Sequence, residues 1–175
     1  MPIAKLDRMD YRILLHLQDD ARLTNLELAG KVGLSPSPCL RRVKALEDAG
    51  IIRRYVAILD AVAVGLPISA FINVSLRSQE REALEQFQEQ IAGCPEVMEC
   101  YLMTGNSDYL LRVVVPDLDA YERFLGDKLT RIPGVGNIQT SFALKPVVYR
   151  TQLPLGEQGN AGARAPAKSK SKRRR

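Results

Sequence analysis

Apolar side chains first recur along this chain at helical spacing. Ile13, Leu14 and Leu17 share one face behind Asp7, with Leu6 and Tyr11 at the positions of a hydrophobic staple around an Asp cap, which predicts a first helix from about Asp7 to Asp20. Thr24-Asn25-Leu26-Glu27 has the form of a capping box, Leu28, Ala29 and Val32 supply a short apolar face behind it, and Gly33 stops the run. A third helix begins at Ser35 or Ser37, because either serine can cap and a proline fits a first helical turn, where its missing N–H is not needed. In that helix Cys39, Val43 and Leu46 face inward, which leaves Ser37, Leu40, Arg41, Lys44 and Asp48 outward with Arg42 on the flank, and Gly50 ends it.

Two short helices joined by a tight turn, after a longer first one, form a helix-turn-helix pattern, and such a unit lays its second member in the DNA major groove. Residues near the start of that helix reach bases, and its cations neutralise phosphates. Ile51 to Asp60 (IIRRYVAILD) reads as a following strand, with Arg53 and Arg54 at the basic edge of a wing. A plain three-helix bundle with solvated arginines is the competing reading. Spacing, turn, capping and charge placement all agree with the DNA-binding one.

Past residue 67 the period changes. Ile68 to Leu76 alternates; Glu80 to Ala92 carries Leu84, Phe87 and Ile91 on one face; Val97 to Thr104 returns to strand composition. After the turn Gly105-Asn106-Ser107-Asp108 come a strand over Tyr109 to Val115, a helix from about Asp117 with Leu118, Tyr121, Leu125 and Leu129 inward, and a strand over Val135 to Leu144. The order β-α-β-β-α-β is ferredoxin-like. Each helix leads through a proline, in Cys94-Pro95-Glu96-Val97 and Ile132-Pro133-Gly134-Val135, into its next strand, an internal echo of two β-α-β halves. The predicted class is α+β: an N-terminal winged helix-turn-helix over residues 1–60, a linker over 61–67, a ferredoxin-like domain over 68–155, and a tail over 156–175.

Composition narrows the function. With 175 residues, 46% hydrophobic and 26% charged, this is the make-up of a globular protein, and no stretch approaches the roughly 18 apolar residues of a membrane helix. The start MPIAKLDRMD lacks the apolar core of a signal peptide, so a cytoplasmic, nucleoid-associated protein is expected. The formal charge of +5 is uneven: ten Lys and Arg against eight Asp and Glu in residues 1–60, eight against eleven in 61–155, and seven against one in 156–175. The tail, GEQGNAGARAPAKSKSKRRR, has no large apolar residue and cannot build a core; disorder is expected of it, with non-specific attraction to DNA phosphates or a solubilising role as its two readings.

Three cysteines without CxxC spacing and a single histidine favour neither a disulfide framework nor a metal site. His16 has no nucleophilic or metal-binding companions, the carboxylates Asp117, Asp119 and Glu122 suit a helix start, and PGVGNI lacks the lysine of a phosphate loop. No catalytic constellation, cofactor or metal is expected, and the protein is not read as an enzyme.

Four ordered motifs, LDRMDYRILLHLQDDAR, TNLELAGKVGLSPSPCLRRVKALEDAGII, ECYLMTGNSDYLLRVVVPDLDAY and LTRIPGVGNIQTSFAL, resemble the Lrp/AsnC, or feast/famine, regulators along nearly all of Leu6 to Leu155. The resemblance implies a transcriptional regulator that binds double-stranded DNA through its winged helix-turn-helix. Its ferredoxin-like domain would dimerise, build tetramers or octamers, and bind a small effector, typically an amino acid. Carried over by position, Ser37, Pro38, Leu40, Arg41 and Lys44 look like the DNA-reading face, and Arg42 like a phosphate or scaffold contact.

The same resemblance implies effector contacts at Thr104, Gly105 and Asp108 in the turn TGNSDYL and at Ser141, Phe142 and Ala143 in the last strand. There a bulkier Phe142 and a smaller Ser141 depart from the leucine-responsive member, which argues against leucine as the ligand. A carboxylate such as Asp108 suits an α-ammonium group and loop N–H groups suit an α-carboxylate, although Asn106 and Asp108 equally suit a tight hairpin that satisfies only its own backbone. Two other classes compete: a nucleoid-packaging protein with the basic tail as principal contact, and a metabolite-binding or enzymatic ferredoxin-like protein whose N-terminal helices are only a dimerisation arm.

Overall fold

The computed structural model describes residues 6–155; the basic tail lies outside them. Three helices, α1 (Arg8–Asp19), α2 (Asn25–Val32) and α3 (Pro36–Asp48), are followed by β1 (Ile68–Leu76), α4 (Arg81–Ala92), β2 (Val97–Leu102), β3 (Tyr109–Val115), α5 (Leu118–Arg123) and β4 (Val135–Phe142). Contacts divide the described chain into two units, residues 6–57 with 148–155, and Ile58–Val147.

The helical unit is set by its caps. Asp7 accepts from the N–H groups of Met9 and Asp10 while Asp10 accepts from the N–H of Asp7, a reciprocal box built from two aspartates. Thr24 and Glu27 close the expected box on α2. Gly33 then turns the chain at φ +74, a left-handed conformation that a Cβ would strain. Ile13, Leu28, Ala29, Val32, Cys39 and Leu46 meet in one core, with Leu17 and Val43 at its margin.

The second unit is a four-stranded antiparallel sheet in the order β2-β3-β1-β4, the ferredoxin-like arrangement. Ala70, Ile72 and Val74 of β1 and Leu111, Val113 and Val115 of β3 pack under Phe87, Ile91, Tyr121 and Phe124. Alternation turns Phe71, Asn73, Leu110 and Arg112 to the other face.

Two expectations are corrected. Residues 51–60 form no strand. The N–H groups of Ile51 and Ile52 both close on Leu46 O at the end of α3, and beyond them the described chain offers no neighbouring strand, without which a ladder cannot form. The helix after Asp117 is also not uniform: α5 passes into a π-helical turn at Phe124–Lys128 and a 3-10 turn at Leu129–Arg131. Tyr121 and Leu129 are inward as expected, the wider winding buries Phe124 and leaves Leu125 half-buried, and Leu118, ahead of that turn, is 60% exposed where it was expected inward.

Candidate DNA-binding surface and effector site

The start of α3 is unusual in what it withholds. Ser35 is the cap and makes no side-chain bond; Pro36 and Pro38 lack N–H groups, so Ser37 holds the one peptide donor of the first three positions. This terminus has little backbone capacity for an anion, and polar recognition passes to side chains. The turn before it is held by Asn25, whose amide donates to Pro36 O at 2.9 Å, and α2 is held to α1 by Arg12, which donates to Lys31 O at 3.1 Å.

With Cys39 and Leu46 buried, Ser37, Leu40, Arg41 and Lys44 project outward together, and Pro38 is half-buried beside them. Arg41 and Lys44 have no ion-pair partner among the described residues. Arg42 behaves differently. Its Nη1 lies 2.8 Å from Asp7 Oδ2 and 2.7 Å from Asp10 Oδ1, so its charge is committed to the helical scaffold, the second of its two expected roles. These bonds hold the guanidinium pKa above its ordinary value, Asp10 contributing most. Arg53 and Arg54 are exposed on the extended chain after α3.

In the second unit the turn between β2 and β3 passes through Gly105 at φ +125, a conformation glycine reaches without strain. Thr104 and Gly105 are exposed, whereas the Asp108 carboxylate is engaged: Oδ2 accepts from Leu76 N–H at 2.7 Å and Oδ1 from the Gln79 amide at 2.8 Å. Its backbone N–H also donates to Val74 O. Asp108 thus pins the end of β1 through partners outside its own turn, which neither reading of the turn names. Gln79 was not visible as part of this turn, because 29 residues separate it from Asp108 and it belongs to no motif.

The last-strand positions do not join that turn. Ser141 pairs with Phe71 and Phe142 with Ala70, while Asp108 bonds to Leu76, so the two groups lie at opposite ends of β1, six positions or about 20 Å apart. They also alternate: Phe142 turns to the helical face and meets Tyr121 edge-on at 5.0 Å, and Ser141 turns to the open face. Ala143 N–H continues the ladder to Ser69 O. One chain does not assemble all six positions around one small molecule.

Among the described residues no helix is long and apolar enough to cross a membrane, and no cluster of His, Cys, Asp or Glu could hold a metal ion.

Residues 6–53 match the family model described as winged helix-turn-helix DNA-binding, and residues 69–153 match the Lrp/AsnC ligand binding domain. The chain is 50% identical over 153 residues to the Bkd operon transcriptional regulator of Pseudomonas aeruginosa, covering 87% of this chain and all of that one. It is 40% identical over 154 residues to the leucine-responsive regulatory protein of Escherichia coli, covering 88% and 94%. Among solved structures, a transcriptional regulator from Neisseria meningitidis in complex with L-Met superposes with a TM-score of 0.82 at 46% identity, covering 87% of this chain and 99% of that one. An AsnC family regulator from Agrobacterium tumefaciens gives 0.81 at 43% identity, over 86% and 97%.

Proposed function

The chain belongs to the Lrp/AsnC family of DNA-binding transcriptional regulators, and from that premise we propose that its α3 reads the major groove through Ser37, Leu40, Arg41 and Lys44 under the control of an amino acid held by the ferredoxin-like unit. The observation that carries this reading is the joint outward projection of Arg41 and Lys44 from a helix whose opposite face, Cys39 and Leu46, is fully used by the core. Arg53 and Arg54 add phosphate contacts beside it, and Pro38 shapes the helix start. Arg42 supports the surface from behind.

Two copies would place two such helices about 34 Å apart, one duplex turn. The apolar run after α3 supports an assembly of copies: Tyr55, Val56, Ile58 and Leu59 are exposed in a single chain although their composition is that of a strand. Effector positions at opposite ends of β1 favour a ligand shared between copies, in a dimer or in a tetramer or octamer built from dimers. L-Met, held by the Neisseria relative, is the first molecule to try. A ligand controls DNA binding only by preferring one arrangement over another. Such a protein would work at the nucleoid, in the cytoplasm.

Arg41→Ala with Lys44→Ala should weaken binding to the DNA upstream of the protein's own gene; unchanged binding would favour the dimerisation-arm alternative. A thermal-shift screen of the twenty amino acids, on wild type and on Asp108→Ala, identifies the effector, and a ligand that stabilises both equally would remove Asp108 from the site. The packaging alternative rests on the cationic tail, and sequence-specific binding by a chain ending at Leu155 would exclude the tail as principal determinant.

A further inference from the structure

The first turn of α3 has few ties to the rest of the fold. Ser35, Pro36 and Ser37 are exposed, Pro38 is half-buried, and Cys39 is the first fully buried residue of the helix. Ser35 makes no capping bond. Among the described residues, one side-chain hydrogen bond reaches this turn: Asn25 Nδ2 donates to Pro36 O at 2.9 Å.

Asn25 is itself firmly placed. It is the first residue of α2, directly behind the cap, where the N–H and Oγ1 of Thr24 donate to Glu27 Oε2 at 2.8 and 2.7 Å. The other atom of its amide is left over: Oδ1 is buried and accepts no hydrogen bond. An acceptor taken out of water and left unpaired is unfavourable, and the net gain from one ordinary hydrogen bond does not exceed that penalty. Alanine here would lose the bond and the penalty together, and it is the stronger helix former. Stability therefore gives no account of this amide. Its geometry does.

Pro36 O belongs to the same peptide group as Ser37 N–H, and that group moves as one plane. Holding the oxygen therefore holds the direction in which Ser37 leaves the backbone. Ser37 and Arg41 are four residues apart and Lys44 follows three later, so the three form one stripe along the helix. The Asn25 bond fixes the first member of that stripe.

We propose that Asn25 is a positioning residue for sequence readout: it orients the Pro36–Ser37 peptide, and through it the Ser37 hydroxyl presented to base edges. It carries no charge and acts through Ser37, so it governs discrimination between sequences and leaves the phosphate contacts alone. This inference rests on the reading of α3 as the helix in the groove.

The experiment titrates wild type, Asn25→Ala, Ser37→Ala and the double variant with the protein's upstream DNA and with a scrambled duplex, across 50–300 mM salt and well below their melting temperatures. Asn25→Ala should lower the affinity ratio between the two duplexes about fivefold or more, the worth of one good base contact. Its salt slope should match that of wild type, since no cation is lost, and its melting temperature should not fall. The double variant should discriminate no worse than Ser37→Ala alone, as two residues on one path do. An unchanged ratio, a flattened slope, or losses that add in the double variant would each overturn the inference. A lowered melting temperature would make Asn25 a prop of the fold and overturn it too. A wild type that binds both duplexes equally would instead sink the reading of α3 on which the inference stands.

Discussion

Arg42 reaches from the middle of α3 to Asp10 at 2.7 Å, and the same nitrogen meets Asp7 at 2.8 Å. One guanidinium therefore closes the cap of α1 and fixes the pitch of α3 against it. Of three cations within four residues of α3, this one stabilises the surface and the other two are free to use it.

That division of labour predicts opposite phenotypes for neighbouring substitutions. Arg42→Ala should lower stability by about 1 kcal/mol, as partly exposed charge-assisted bonds do, and leave the salt slope of DNA binding unchanged. Arg41→Ala with Lys44→Ala should leave the melting temperature unchanged and flatten the slope by about two. Thermal denaturation and salt-titrated binding on the same samples check both.

Asp7 makes stability sensitive to acid. Its carboxyl is held below the ordinary value of 3.8, first by the bond from Asp10 N–H and further by Arg42 and Met9 N–H, against an opposing desolvation. A folded-state value that is depressed adds stability above 3.8, and that stability is lost as pH falls through the lower folded value. Urea unfolding at pH 7 and in this acid range should show wild type losing the contribution. Asp7→Asn, which keeps a capping oxygen, should lack this component, and Asp7→Ala should be weaker by about 1 kcal/mol at pH 7.

Tyr55 gives the opposite sign. Although the residue is 48% exposed, partial desolvation of its ring and then the 2.8 Å hydrogen bond to Glu47 push its phenol up to about 12. The fold favours the neutral ring, so this stabilisation is complete below pH 10 and disappears as pH rises toward 12. Ultraviolet titration should resolve one late tyrosine, and Glu47→Gln should bring it back toward the ordinary range.

The Asp108 turn predicts a competition. If an α-ammonium group binds this carboxylate, it does so against Leu76 N–H and the Gln79 amide, which already occupy both oxygens. Gln79→Ala should release one oxygen, tighten effector binding a few-fold in calorimetry, and cost about 1 kcal/mol of stability. Unchanged effector affinity would separate the internal bonds from ligand binding.

Local chemistry was legible in the sequence where it is local in space. Thr24 with Glu27, Gly33, and the inward Cys39 and Leu46 could be read because helix geometry fixes neighbours three or four residues apart. Asp10 as the partner of Arg42, Gln79 as the partner of Asp108 and Gln18 as the partner of Leu153 were not, since their separations of 32, 29 and 135 residues are set by tertiary packing. In the helix after Asp117, Tyr121 and Leu129 are inward as expected, but a π-helical turn at Phe124–Lys128 changes the period, so that Phe124 is buried and Leu125 only half-buried. The strand expected at residues 51–60 failed because β composition describes a segment able to pair, and pairing requires a neighbour.

The distance between Asp108 and Phe142 along β1 has a consequence for dosage. On the proposed effector positions, a small metabolite that touches both ends of that strand would bridge two polypeptides, and its capture would be a three-body equilibrium and not a property of the lone chain. Diluting the regulator would then blunt the response even at saturating metabolite, and a cell would tune its sensitivity to nutrients by how many copies of this protein it makes.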